Sequence, residues 1–164
     1  MKFIPQYLRT DCYTYSTQKS VSELKSDLNA LFENKWYDFS VNLSGEFINQ
    51  NEFQVTKKIS FVFSKNGSMG STNLKCKLYT DNKKTLIDIA VKPSPQLYVW
   101  TIIPPLFALL MLYSIIMHST NDLTVGIIII AILFMLPVAA RFYGQAAKNE
   151  LKNTFVDTFK LTKV

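Results

Sequence analysis

Residues 97–117 read LYVWTIIPPLFALLMLYSIIM, and residues 123–140 read LTVGIIIIAILFMLPVAA. Neither run holds a charged side chain, and only His118-Ser119-Thr120-Asn121-Asp122 separates them. At ~1.5 Å of rise per residue, each run is about long enough to cross a hydrocarbon core of ~30 Å as a helix. So short a link allows one geometry, an antiparallel hairpin. The chain is therefore expected to be an α+β membrane protein whose transmembrane hairpin occupies residues 96–143.

Charge placement gives an orientation. Residues 1–95 carry 13 Lys plus Arg against 9 Asp plus Glu, and the tail from Arg141 carries 5 against 2. The inter-helix link has one Asp and no Lys or Arg. Basic flanks stay inside, so both termini are expected in the cytoplasm and residues 118–122 outside. Tyr98 and Trp100 fall at the inner interface, Tyr113 at the outer one, and Phe142 and Tyr143 back at the inner one. That is the aromatic-belt pattern. The first residues carry no apolar stretch of signal-peptide length, so the hairpin itself is expected to drive insertion.

Residues 1–95 suffice for one small cytoplasmic domain. Residues 12–17 have the β-branched and aromatic content of a strand. Ser20 and Glu23 form a capping box, and Val21, Leu24, Leu28, Leu31 and Phe32 recur at helical spacing, which predicts a helix over 21–35. From Trp36 the period becomes two. Strands are expected through Phe39, Val41 and Leu43, with Gly45 breaking the phase, then from Phe53, over 59–63, over 74–78 and over 86–91. Residues 65–71 read as a flexible loop and residues 81–84 as a turn. Strand, helix and antiparallel meander imply a two-layer α+β sandwich, or a half-barrel gripping the helix. Lys92-Pro93-Ser94-Pro95 closes the domain as a short, stiff link.

The tail, residues 144–164, is expected to be an amphipathic helix continuing the second membrane helix. Ala147, Leu151, Phe155 and Phe159 form its apolar stripe, with Lys148, Glu150, Lys152, Asp157 and Lys160 on the remaining faces. The stripe is expected to pack on its own or a neighbouring domain. Pro104, Pro105 and Pro137 interrupt the spans near the inner leaflet, and with Pro93 and Pro95 they are candidate hinges.

The chemistry classes narrow quickly. Two cysteines, Cys12 and Cys76, and one histidine cannot supply a four-ligand zinc site, and a reducing compartment leaves the thiols free. No metal and no cofactor is expected. His118 lies across the membrane from the domain, which removes Ser-His and Cys-His pairs. Neither a dinucleotide fingerprint nor a phosphate loop is present. The spans contain no ionisable marker of an ion path, although Thr101, Ser114 and Thr124 could line an oligomeric pore. The chain is expected not to be an enzyme. Scattered lysines argue against nucleic acid and leave a small nucleotide as a candidate ligand. Candidate contacts are Lys57, Lys58, Lys75, Lys77, Lys83 and Lys84, with Tyr13, Tyr15 and Tyr79 as stacking surfaces.

Gly45-x-Phe47 before a turn, Phe53-x-Val55 after it, Thr85-x-Ile87-x-Ile89 leading into Pro93, and Glu150-Leu151 followed by Phe155 and Phe159 together resemble a loose set of small bacterial inner-membrane proteins. These carry a cytoplasmic strand-helix-meander domain, two membrane helices and a short charged tail. The resemblance implies a bacterial inner-membrane setting and no particular activity.

The expected function is a membrane-anchored sensing or binding protein. Its cytoplasmic domain would recognise a ligand or protein and signal to an oligomeric hairpin, in its concrete form a membrane-perturbing effector of bacterial defence. The alternative is an accessory, structural or immunity-type subunit of a larger membrane complex. The expected partners are the lipid bilayer and either further copies of the chain or a partner membrane protein.

Overall fold

The computed structural model describes residues 5–34, 41–58, 72–81, 84–118 and 123–164. After a 3-10 turn, Gln6–Leu8, strand β1 (Asp11–Thr17) leads into helix α1 (Val21–Glu33). Strands β2 (Ser44–Phe47), β3 (Glu52–Thr56), β4 (Asn73–Asp81) and β5 (Lys84–Lys92) follow. Helices α2 (Pro95–His118) and α3 (Leu123–Phe159) come next, and a two-residue strand β6 (Thr162–Lys163) ends the series.

Helix α1 begins where the capping box places it. The Ser20 hydroxyl accepts from the Glu23 amide, and the Glu23 carboxylate accepts from the Ser20 amide at 2.8 Å. Two orphan donors are thereby satisfied. Leu24, Leu28 and Leu31 turn inward, and the helix ends at Glu33, with Asn34 already extended.

The strands form one antiparallel sheet in the order β2-β3-β4-β5-β1-β6. Its register aligns the inward side chains in rows. Phe47, Phe53, Cys76, Ile89 and Tyr13 form one row across five strands, with Leu78, Ile87 and Tyr15 on one side of it and Val55, Leu74 and Val91 on the other. This face carries the main core.

Two helices cover that core, not the single one the meander pattern implied. Besides α1, the C-terminal part of α3 contributes Leu151, Phe155 and Phe159, all buried among the strand residues. The Phe155 ring lies 6.0 Å from Phe53 and 4.9 Å from Phe159, within the range of favourable aromatic pairing. The tail stripe thus packs on its own sheet.

Several expectations are corrected. Val41 and Leu43 precede β2 instead of forming it, and Leu43 is buried there as irregular chain. Strand β2 runs through Gly45, where a break was expected. A Cβ at Gly45 would stand 2.3 Å from the Gln54 carbonyl oxygen and 2.4 Å from the Phe32 ring. The glycine lets that ring lie against the strand. The expected strand over 59–63, the loop over 65–71, and Phe39 and Lys83 lie outside the described residues.

The tail also differs. Its helix stops at Phe159 because Lys160 takes a left-handed conformation, φ 51°. The Lys160 amide then reaches the Asp157 carbonyl and the Leu161 amide the Val156 carbonyl. This is the Schellman arrangement, with lysine where glycine is usual. Beyond it Leu161 enters the core, and β6 pairs with Tyr15 and Ser16. Lys148, assigned from the sequence to a face beside the apolar stripe, is buried.

Only Pro93 and Ser94 separate β5 from α2. Pro95 is the first helical residue, a position that needs no amide donor. Helices α2 and α3 are long and apolar enough to cross a membrane, and only 11% and 6% of their most apolar windows are buried. They face each other along a seam. The less exposed residues of α2 are Leu97, Thr101, Pro104, Ala108, Met111 and Ile115, while on α3 Gly126, Ile130, Leu133, Pro137, Ala140 and Gly144 take the same alternating steps of three and four. That spacing belongs to helices packed at a shallow angle. Gly144 receives Leu97 and Gly126 receives Ile115, each too close to admit a Cβ without a shift.

Candidate functional site

Alternation along the strands sends every second side chain to the sheet's other face, which no described helix covers. There Lys77, Asp88 and Thr14 lie in one register row, and Lys75, Ala90 and Cys12 in the next. Together with Ile48 they border an open depression of ≈ 520 Å³. Asp88 Oδ1 accepts from the Thr14 hydroxyl at 2.7 Å and from the Tyr79 phenol at 3.1 Å. Partial desolvation, and then the bond to Asp88 and its charge, raise the Tyr79 phenol above its ordinary value. Lys77 lies 3.8 Å from Glu52, and both are well exposed. An exposed pair of this kind contributes little stability and remains open to exchange for another anion.

The candidate ligand contacts do not form one surface. Lys75, Lys77 and Tyr79 share the open face. Tyr15 is buried on the helix-covered face, where desolvation raises its phenol. Tyr13 lies on that same face, with Lys152 Nζ 4.9 Å and Lys163 Nζ 5.9 Å from its ring centroid. Lys57 is ion-paired with Glu150 of α3, Lys58 is also engaged, and Lys84 stands opposite Asp81 at the hairpin end of β4 and β5. Among the described residues, no three His, Cys, Asp or Glu side chains come together as a metal-holding group. Burial pushes the Cys76 thiol far above its ordinary range, so it is not a nucleophile, whereas Cys12 is exposed.

The candidate hinges are equally divided. Pro93 is buried in the link and Pro95 opens α2. Pro104 is buried in the seam, Pro105 and Pro137 are half-buried, and both helices run on through them.

A second constellation, not anticipated from the sequence, sits where the hairpin meets the sheet. Lys148, 1% exposed, is ion-paired with Asp11 at 2.5 Å and donates to the Gln6 and Arg9 carbonyls at 3.2 and 3.0 Å. Tyr98 donates to the Leu8 carbonyl at 2.6 Å, and the Tyr7 and Thr101 hydroxyls lie 3.2 Å apart. Tyr7 and Leu8 bury themselves with Leu97 and Ala140 in a small core of their own. One sequence signal could have revealed this site. Lys148 is in phase with Gly144, Leu151 and Phe155, a charge on an apolar stripe.

No protein-family model matches this chain, and no curated protein matches its sequence.

Proposed function

We propose that the chain is a two-pass membrane protein whose sheet domain binds a ligand or protein on its uncovered face and transmits that event to the hairpin. One observation carries this reading. Helix α3 runs unbroken from its apolar stretch into the core of the sheet, where Leu151, Phe155 and Phe159 pack among the strands. Rotation or displacement of the sheet therefore acts directly on the apolar helix. The outward faces of the hairpin, Ile102, Ile103, Leu106, Phe107 and Leu110 on α2 and Ile127, Ile128, Ile132 and Met135 on α3, are exposed and suit a hydrocarbon solvent. In this reading both termini lie in the cytoplasm of a bacterium and residues 118–122 outside. Two helices cannot enclose a pore, so signalling by leakage requires several copies, as a membrane-perturbing effector would use.

The experiment is the mass of the intact protein in lipid nanodiscs, paired with dye release from vesicles carrying it. A discrete homo-oligomer that releases dye supports the effector form. A tight monomer that releases none removes it. The second reading, an accessory or immunity-type subunit, draws on the same uncharged helix faces, which fit a partner's helices as well as lipid. Stabilisation only with a stoichiometric partner would select it.

A further inference from the structure

We infer that residues 5–9 form a detachable wedge between the sheet and the feet of the hairpin, and that Lys148 is its catch. The segment is built as a separate unit. Its 3-10 turn closes on itself through the Leu8 amide to the Pro5 carbonyl at 3.0 Å and the Arg9 amide to the Gln6 carbonyl at 3.1 Å. It pairs with none of the described strands. Its two buried side chains, Tyr7 and Leu8, belong to the small cluster at the helix feet and not to the sheet core. Segments with few buried contacts and their own local bonds open at lower free energy than the core they rest on.

Polar contacts add to this apolar seat. The Lys148 ammonium has three donors, and the structure gives them three acceptors: the Gln6 carbonyl, the Arg9 carbonyl and the Asp11 carboxylate. Two of the three belong to the wedge. If residues 5–9 leave, the buried ammonium keeps only Asp11, and a buried charge with incomplete partners is costly. The lysine thus penalises opening as long as it is charged and enclosed. Tyr98 and Tyr7 fasten the wedge to α2, while Lys148 fastens it to α3. Seated, the wedge bridges both helix feet to β1. Unseated, it uncovers Leu97 and Ala140; among the described contacts α2 then joins the sheet through Pro93-Ser94, while α3 keeps its own packing on the sheet and the Lys148–Asp11 pair. This device stands independently of whether the open sheet face takes a ligand and of whether the hairpin oligomerises.

The test uses the full chain in detergent micelles, with Cys12→Ser removing the exposed thiol and Leu8→Cys placing a reporter in the wedge. Cys76, deep in the sheet core, serves as an internal measure of domain opening. Maleimide labelling of the Leu8→Cys position is expected to be slow. Adding Lys148→Met should accelerate it about tenfold or more, the factor expected from losing charge-assisted bonds, with the reporter labelling well ahead of Cys76 in both proteins. Tyr98→Phe, which removes a single neutral bond, should give a smaller acceleration of the same sign. If Lys148→Met leaves the reporter rate unchanged, Lys148 is not the catch. If reporter and Cys76 label at the same rate, the wedge does not open separately from the domain. Either result overturns the inference.

Discussion

Lys160 shows how much a single backbone conformation decides. A lysine at φ 51° bears a steric penalty that glycine does not, yet the turn it makes satisfies two helix-end carbonyls and sends Leu161 into the core. Lys160→Gly is expected to raise stability by about 1 kcal/mol, partly offset by the freer unfolded chain. Urea-dependent exposure of the Cys76 thiol measures it. The buried ion pair predicts an asymmetry. Removing Asp11 strands an enclosed ammonium, so Asp11→Ala should cost about 3–5 kcal/mol in the same assay. Lys148→Met should cost less than half as much, because Asp11 is 22% exposed and retains water. Equal costs would show that the pair is no more than a surface contact. The two lysines differ in legibility. Lys148 stands in phase with Gly144, Leu151 and Phe155, a charge on an apolar stripe, whereas a left-handed lysine has no sequence signature at all.

At the scale of elements, α1 was legible because its signals are local: a cap, a carboxylate three residues on, and leucines at helical spacing. The Ser20 amide and hydroxyl hold the Glu23 carboxyl below the usual range. A depressed carboxyl contributes stability that is fully present above its unfolded value and lost as pH falls through its folded one. The wild-type chain should therefore lose α1 stability on acidification, and Glu23→Gln should flatten that acid limb without altering the neutral-to-alkaline one. Helical circular dichroism against pH reads both. Ser20→Ala should cost about 1 kcal/mol at neutral pH. β4 and β5 were legible for similar reasons, since Leu74, Cys76 and Leu78 alternate with lysines and Ile87, Ile89 and Val91 answer them. Other features were not. Gly45 marked a break by composition, but what decides its place is the Phe32 ring, thirteen positions earlier in the chain. β6 is two residues long and exists because Leu161 is anchored beside β1, a purely tertiary cause. The candidate lysines failed as one surface for the same reason. Spacing places a residue on a strand face, whereas the partners that engage it, such as Glu150 for Lys57, come from distant chain.

For the whole molecule, the decisive fact is the unequal character of the two connections between sheet and hairpin. One is Pro93-Ser94, outside any regular element; the other is a continuous helix whose far end is core. They should respond differently to insertion. Two glycines after Ser94 lengthen a short loop, for which the closure cost grows by only about 0.6 kcal/mol per doubling, and the domain should melt nearly as the wild type does. One alanine after Asn149 is a smaller change in length but turns everything beyond it by about 100°. Leu151, Phe155 and Phe159 would leave the sheet while Lys148, Gly144 and Ala140 keep their seats, or the reverse. Burying a phenylalanine and a leucine is worth several kcal/mol, so this chain should expose Cys76 to maleimide in native buffer and lose protease resistance in the sheet. If the alanine insertion were tolerated and the glycines were not, force would pass through the β5 link, and α3 would be a passive tether. The opposite outcome makes α3 the lever. Under the proposed function a ligand on the open face would then act on the hairpin through rotation of one helix, and substitutions in the Phe155 stripe should uncouple the two ends even where the sheet still folds.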